Sequence, residues 1–420
     1  MKRSYLIPTG ICLALASPAL AVERADVLDT YADIAAAKYE DSLIAAQRLQ
    51  SAVDALIANP SAPALQTAKD AWLAARVPYQ QTEVYRFGNA IVDDWEGKVN
   101  AWPLDEGLID YVDATYGGPT DENAFAALNV IASPEFTLSG TQVDASAITP
   151  ELLSETLREA DGIESNVATG YHAIEFLLWG QDLNGHEAGA GNRAWTDYAT
   201  GDDCTNGNCD RRGAYLKAAT DLLVSDLEWM AAQWADGGAA RTEVLSDETS
   251  GLSTILTGMG SLSYGEQAGE RMRLGLMLND PEEEHSCFAD NTHNDHYYDG
   301  LGVQSAYMGE YIRIDGTLVS GASLSDLVAE TNPELDREML TRLNTTMMAL
   351  GRIKTTAEAG FAYDQMLERG NSAGEDLIMG GVEGLIDQTR SIERVVTALE
   401  LDQIAIEGSD SLDDPNAVFQ

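Results

Sequence analysis

The stretch RRGAYLKAATDLLVSDLEWMAAQWA, residues 211–235, shows most directly which kind of fold this chain adopts. Its apolar residues repeat at intervals of three and four, at Leu216, Ala219, Leu223, Leu227, Met230 and Trp234. This spacing places the apolar side chains on one face of an α-helix. The stretch therefore predicts an amphipathic helix that packs against other helices.

The same periodicity extends outward along most of the chain. It predicts helices over residues 26–58, 64–87, 244–277, 296–312, 335–367 and 375–401. Thr149 followed by Pro150 marks one further helix start, because a capping residue precedes a proline at the first helical position. Alternating strand patterns are nearly absent. We therefore predict an all-α fold of two antiparallel helical bundles.

The length of 420 residues predicts two domains. A composition break at Asp236-Gly237-Gly238 places the boundary between a first bundle, residues 22–238, and a second bundle, residues 239–420. Residues 81–87 and 170–175 have faint counterparts at 266–272 and 302–307, which indicates an internal duplication. The identity is low, so chance similarity is the alternative.

The N-terminus has the pattern of a signal peptide. Lys2 and Arg3 precede an apolar run over residues 6–15, and small residues lead to a cleavage site after Ala21. Residues 1–21 are therefore predicted to be removed on export, an environment that favours disulfides. Three cysteines remain, and the sequence leaves their pairing open: Cys204, Cys209 and Cys287.

The charge is strongly negative, since 69 acidic residues outnumber 25 basic ones and give −44. Such a field repels nucleic acids and anionic lipids and attracts cations. Nucleic acid is therefore excluded as a partner, whereas a metal ion is compatible with the charge. The charge as a whole is interpreted as a solubility adaptation to salty surroundings in preference to a functional feature.

His172 and Glu175 lie three residues apart in the predicted apolar helix over residues 167–179, so they share one face. Imidazole and carboxylate suit zinc, iron or copper, and i,i+3 spacing lets both reach one ion. The stretch is not a zincin motif, and Phe176 occupies the place of the second histidine of an inverted zincin. A core histidine held by a neighbouring glutamate is the structural alternative.

A second cluster lies between predicted helices, over residues 282–298. Three of the five histidines of the chain fall within it among carboxylates, at His285, His293 and His296. The cluster predicts a metal or catalytic loop. A polar loop whose side chains cap neighbouring helices is the alternative.

Two further carboxylates are candidate ligands. Glu83 lies on an otherwise apolar helix, where Arg86 could hold it in an internal ion pair instead. Asp105 follows Trp102-Pro103. Glycines 258, 260, 265, 269 and 275 predict a close approach between helices, and Arg271 beside them is predicted to neutralise local carboxylates.

These residues together resemble the imelysin family, whose Gly-x-His-x-x-Glu signature is matched by Gly170, His172 and Glu175. Within the family, the imelysin-like iron-regulated proteins of Gram-negative bacteria are the most similar group. Three further stretches carry the similarity, namely residues 77–87, 204–212 and 284–293.

The resemblance implies an exported, periplasmic protein of two helical bundles, with the signature near their interface and a link to iron uptake. It carries over His172 and Glu175 as metal ligands, to which our interpretation of the residues adds Glu83, Asp105 and His293. Iron is the expected ion and zinc is the alternative. The sequence does not decide whether haem binds.

The resulting hypothesis is a binding protein for iron or an iron-bearing small ligand, with an iron-uptake or outer-membrane protein as its partner. A metallopeptidase of the M75 group at the same site is the alternative, so enzymatic activity stays open. A third hypothesis is an interaction protein that docks a partner without chemistry.

Overall fold

The computed structural model of the chain describes residues 21–121 and 123–419. Residues 1–20, which include all but the last residue of the predicted signal peptide, lie outside the described residues. No helix in the described part of the chain is long and apolar enough to cross a membrane.

Helices dominate the described residues, and the predicted all-α fold is confirmed. The α-helices are α1 (Arg24–Ala58), α2 (Ala62–Gln80), α3 (Ala90–Glu96), α4 (Glu106–Ile109), α5 (Gly170–Trp179), α6 (Cys209–Trp234), α7 (Ala239–Leu245), α8 (Glu248–Ser261), α9 (Leu274–Leu278), α10 (Thr292–Met308), α11 (Leu324–Thr331), α12 (Pro333–Glu358), α13 (Tyr363–Leu367), α14 (Ser372–Ala398) and α15 (Asp410–Asp413). Two π-helical segments span Leu152–Leu157 and Leu262–Arg273. Short 3-10 helices span Glu83–Tyr85, Ala160–Gly162, Trp195–Tyr198, Gly201–Asp203, Pro281–Glu283 and Ala417–Phe419.

The few strands form two antiparallel hairpins. Strand β1 (Glu135–Leu138) pairs with β2 (Thr141–Asp144). Strand β3 (Glu310–Ile312) pairs with β4 (Leu318–Ser320). The first hairpin contributes Phe136 to the main hydrophobic core, and Tyr311 of the second hairpin packs against Ile34 and Ala37 of α1.

The helices pack in two groups that meet between α2 and α10. In the N-terminal half, α1 packs against α2 and α6, and α5 packs against both α2 and α6. In the C-terminal half, α12 packs against α10 and α14, and the π-helix Leu262–Arg273 also packs against α14. The main hydrophobic core contains residues of both halves, among them Leu49, Leu216, Val303 and Met339. The domain boundary at residue 238 and the internal duplication stay predictions.

Several helices end earlier than their periodicity predicts. The helix predicted over residues 296–312 stops at Met308, because Gly309 adopts φ +62° and the chain continues as β3. Similarly, α12 ends at Glu358, just before Gly360 with φ +99°. The segment predicted as one helix over residues 244–277 is divided, since the Asp247 side chain caps a new helix by accepting from the Ser250 N–H.

The glycines of the π-helix accommodate the C-terminal segment instead of another helix. A Cβ at Gly265 would lie 2.6 Å from the Glu407 carbonyl oxygen, and a Cβ at Gly269 would collide with Ser409. The close approach predicted for these glycines is therefore present. The segment that approaches them, around Glu407 and Ser409, has no regular secondary structure.

Cys204 and Cys209 form a disulfide, whereas Cys287 is a free thiol. The loop between the paired cysteines leads directly into α6. This pairing resolves the alternatives that the sequence left open.

Candidate functional site

The backbone that carries the signature is held in place at the start of α5. Gly170 adopts φ +81°, and a Cβ there would collide with the carbonyl of Val99, so only glycine fits. The Tyr171 N–H donates to the same carbonyl at 2.7 Å. The Trp72 indole N–H donates to the Tyr171 carbonyl at 2.9 Å. The first turn of α5 is therefore fixed from two directions.

His172 and Glu175 form a buried pair. His172 Nδ1 lies 2.9 Å from Glu175 Oε2. Glu175 Oε1 accepts a hydrogen bond from the Ala289 backbone N–H, also at 2.9 Å. Because both carboxylate oxygens are engaged within the protein, Glu175 orients the imidazole from behind, as carboxylates do for metal-binding histidines.

The other ring nitrogen of His172 is buried and has no hydrogen-bond partner among the described residues. Burial, reinforced by His285 and Arg76, lowers the pKa of His172 well below its usual value. Burial also raises the pKa of Glu175 well above its usual value. His172 is therefore a neutral imidazole at neutral pH, which is the protonation state that ligates metals.

His285 packs directly against His172, with ring centroids 4.8 Å apart. Its Nδ1 lies 3.3 Å from Asp295 Oδ2, so a carboxylate orients this imidazole as well. Burial lowers the pKa of His285 to about 4. Burial opposes ionisation of Asp295, but Arg76 and His285 together lower its pKa below the usual value.

Arg76 connects the two halves of the molecule behind these imidazoles. It is 1 % exposed and lies on α2, and its guanidinium donates to Asn100 Oδ1 at 2.6 Å and to Asp295 Oδ1 at 3.4 Å. It also lies over the Tyr171 ring, 5.0 Å from the centroid. A buried guanidinium with these partners fixes α10 against α2.

Glu83 lies in an internal ion pair, as the structural alternative predicts, but Arg86 is not its partner. Arg271 NH2 lies 2.8 Å from Glu83 Oε2, and Asn100 is 3.5 Å from the same oxygen. Arg86 instead pairs with Asp93.

Arg271 neutralises a group of carboxylates, in agreement with the sequence interpretation. Besides Glu83, it contacts Glu266 at 2.8 Å and Asp299 at 3.1 Å. Arg271 is therefore saturated by protein carboxylates.

Asp105 and His293 make no hydrogen bond to His172 or Glu175, although Asp105 lines the same cavity as His172. Asp105 accepts hydrogen bonds from Ser165 Oγ at 2.7 Å and from the Tyr116 hydroxyl at 3.2 Å. His293 Nε2 lies 3.0 Å from the amide nitrogen of Asn294. Within residues 21–121 and 123–419, no three His, Cys, Asp or Glu side chains form a group arranged to hold one metal ion. The ligand roles of the five residues singled out from the sequence stay predictions.

A cavity of about 520 Å³ opens beside the imidazoles. His172, His285, Cys287 and Asp105 are among its lining residues. A second cavity of about 500 Å³ lies next to the first. Trp102 and His285 line both cavities. The first cavity reaches His172, whereas Glu175 lies behind this histidine and does not line the cavity.

Sequence reasoning places His285 and Asp295 within the histidine-rich cluster but selects His293 as the ligand, and it misses Arg76. The histidine-rich loop predicts that a histidine joins the site, but the ring that contacts His172 belongs to His285 and not to His293. Charge and spacing along a loop do not define which side chain turns inward. Arg76 has no local pattern that distinguishes it from a solvent-exposed arginine.

Comparisons with known proteins agree with this architecture. The family model for imelysin, Peptidase_M75, matches residues 35–392. Iron-regulated protein A of Synechococcus elongatus is 23% identical over 329 residues, which cover 76% of this chain and 72% of that protein. The crystal structure of an iron-regulated protein A precursor from Parabacteroides distasonis is similar with a TM-score of 0.64 at 19% identity, covering 89% of this chain and 94% of that one. The structural similarity supports the helical fold.

Proposed function

Because the chain belongs to the imelysin family, whose model matches residues 35–392, we propose that it is an exported protein of iron uptake that binds iron, or an iron-bearing compound, at His172 and His285. The names of its relatives connect them with iron regulation.

The observation that carries the proposal is the Nε2 atom of His172. It is buried without a hydrogen-bond partner among the described residues, while Nδ1 is occupied by Glu175. A buried polar atom without a partner costs about 1–3 kcal/mol. A ligand that accepts the lone pair of Nε2 removes this cost.

His285 supplies the second imidazole of the proposed site. With Asp295 and Glu175 ionised, the Nδ1–H group of each imidazole would donate to its carboxylate and each Nε2 would keep its lone pair. Burial raises the pKa of Glu175, so a bound cation would favour this ionised state. Two carboxylate-oriented imidazoles with ring centroids 4.8 Å apart fit a borderline metal ion. In this arrangement Glu175 is a positioning residue, and water or the bound compound completes the coordination.

The place of the site supports binding between the two halves. His172 comes from α5, and His285 comes from the segment that precedes α10. The disulfide Cys204–Cys209 supports an exported, oxidising location such as the periplasm. A partner of the uptake system would reach the bound iron through the cavity beside His172.

The experiment that tests the proposal measures ferrous iron bound to the purified protein under anaerobic conditions. We expect His172→Ala to lose the bound iron. His186→Ala is the matched control, since His186 does not line the cavity. An equal iron content in His172→Ala and the wild type would overturn the assignment, provided that both unfold at the same temperature.

A zinc metallopeptidase is the second candidate, favoured by the cavity of about 520 Å³ that could admit a peptide beside His172. Catalytic zinc sites use three protein ligands, whereas two imidazoles meet at this place. Cleavage of a protein substrate that stops on addition of a chelator and is absent from His172→Ala would favour the peptidase.

A further inference from the structure

The cavity in front of the two imidazoles has an unusual charge. Six carboxylates line it, and neither lysine nor arginine does. These residues are Asp105, Glu106, Asp113, Asp182, Glu282 and Glu283. Like charges gathered in a concave, partly buried surface concentrate the field and attract counter-ions.

These carboxylates differ from those in the neighbouring cavity. Among the described residues, none of the six forms an ion pair with a basic side chain. The second cavity, of about 500 Å³, is also acidic, but Arg86, Arg158 and Arg271 line it and pair with its carboxylates. No basic side chain within the described part of the chain therefore compensates the carboxylates of the cavity beside His172.

An independent observation shows that this cavity is more than an acidic surface. His172 lines it, is 1 % exposed and has an unpartnered Nε2. A metal ligand without a protein partner thus lies at the inner wall of a negatively charged cavity.

The carboxylates also interact with one another. Burial raises the pKa of Glu282 to about 7, and the nearby charges of Glu106 and Asp182 contribute to the increase. Mutual repulsion of this kind is relieved when a cation enters.

The volume of the cavity leaves room for a hydrated cation. Six water molecules at about 30 Å³ each occupy roughly 180 Å³. A cavity of about 520 Å³ therefore accommodates a metal ion together with its complete hydration shell. A bare ion would need far less space.

We infer that this cavity is an outer-sphere capture site, in which the carboxylates hold a hydrated metal dication through its water molecules before it reaches His172. Anionic iron chelates are excluded by the same charge. This inference rests on the proposed function, because it names the form in which the metal enters.

The test uses hexaamminecobalt(III), a cation of similar size that does not exchange its ligands and so cannot bond to an imidazole. Binding is measured by equilibrium dialysis of the full mature chain. We expect the triple variant Asp182→Asn, Glu282→Gln and Glu283→Gln to bind it on the order of tenfold more weakly than the wild type. The matched control removes the same charge from exposed positions, by Asp29→Asn, Glu243→Gln and Glu368→Gln, and should bind like the wild type.

Equal weakening in the cavity variant and the control would overturn the capture site, since the general charge of the protein would then explain binding. Tight binding of ferric citrate that the cavity variant loses would overturn the preference for a cation. The proposed function fails separately: His172→Ala should still bind hexaamminecobalt(III) while losing ferrous iron. If His172→Ala still binds ferrous iron, the assignment of the iron site to His172 is wrong, even if the carboxylates of the cavity bind hexaamminecobalt(III) as expected.

Discussion

At the scale of single residues, the two ring nitrogens of His172 have different neighbours and therefore different uses. Nδ1 is held by Glu175, whereas Nε2 has no partner within the described chain. His296 is also fully buried and leaves both ring nitrogens without a partner among the described residues, but it does not line the cavity, whereas His172 does. The contrast makes Nε2 the reactive atom of the proposed site.

The role of Glu175 leads to a prediction at the same scale. In Glu175→Gln the side-chain amide can donate to Nδ1, which moves the imidazole proton to Nε2 and blocks the lone pair. We expect ferrous iron to bind roughly 10- to 100-fold more weakly, with the fold retained. Anaerobic titration of the metal measures the affinity, and Glu187→Gln at an exposed position is the control. Unchanged affinity would show that Glu175 does not position the ligand.

At the scale of secondary-structure elements, close backbone approach fixes the elements around the site. Gly170 lets α5 begin against Val99, and the glycines of the π-helix Leu262–Arg273 admit the C-terminal segment. π-helical geometry is rare and often marks functional places. Here it carries Arg271, which binds three buried or half-buried carboxylates behind the site.

The approach at Gly170 gives a second prediction. Gly170→Ala introduces a Cβ into the Val99 carbonyl and forces alanine to adopt a positive φ, so the free energy of unfolding should fall by about 1–3 kcal/mol or more. Gly380→Ala is the control, because a Cβ there meets nothing within 4 Å and lies inside α14. This control should be neutral or stabilising. Urea denaturation measures both, and equal stability of the two variants would contradict the role of Gly170.

A buried lysine between helices gives a third prediction. Lys38 of α1 is 0 % exposed and donates to the Gln81 carbonyl at 3.0 Å, close to Ser305 of α10. Burial lowers its pKa to about 7. Between pH 7 and the unfolded pKa of about 10.4, the unfolded chain binds more protons, so this group makes the protein more stable as the pH rises.

We therefore expect Lys38→Met to lose about 2 kcal/mol of the gain in unfolding free energy between pH 7 and pH 9. Urea denaturation at the two pH values provides the measurement. Lys217→Met, at a half-exposed position, should keep the pH dependence of the wild type. The same pH dependence in Lys38→Met and the wild type would show that the lysine does not titrate in this range.

At the scale of the whole molecule, the net charge of −44 acts on stability as well as on ligands. Self-repulsion of a strongly charged chain disfavours the compact state. The folded protein limits this repulsion locally, through buried arginines such as Arg76, Arg212 and Arg271 that pair with carboxylates. Among the described residues, no arginine or lysine lines the cavity beside His172.

This charge gives the fourth prediction. Raising the salt concentration from about 0.01 M to about 1 M shortens the Debye length from about 30 Å to about 3 Å. The unfolding temperature should therefore rise with salt, and sodium chloride and potassium chloride should act alike because ionic strength is the cause. Differential scanning calorimetry measures the change, and a salt-independent midpoint would contradict a destabilising self-repulsion.

Much of the fold follows from local patterns in the sequence. The spacing over residues 211–235 predicts α6 almost to its ends, and the same holds for α1 and α14. Ends are predicted less well where a glycine or a cap stops a helix that remains apolar on one face, as at Gly309 and Asp247. The signature pair His172 and Glu175 is likewise readable from its i,i+3 spacing.

The sequence by itself determined the helical class, the buried pair on α5 and the negative charge, because each depends on residues that are close along the chain or on composition. Only the tertiary structure decided that His285 meets His172, that Glu83 pairs with Arg271, and that six carboxylates surround one cavity. Those contacts join residues up to 188 positions apart. Helical periodicity defines which face of each helix is buried, but it does not define which distant face lies opposite.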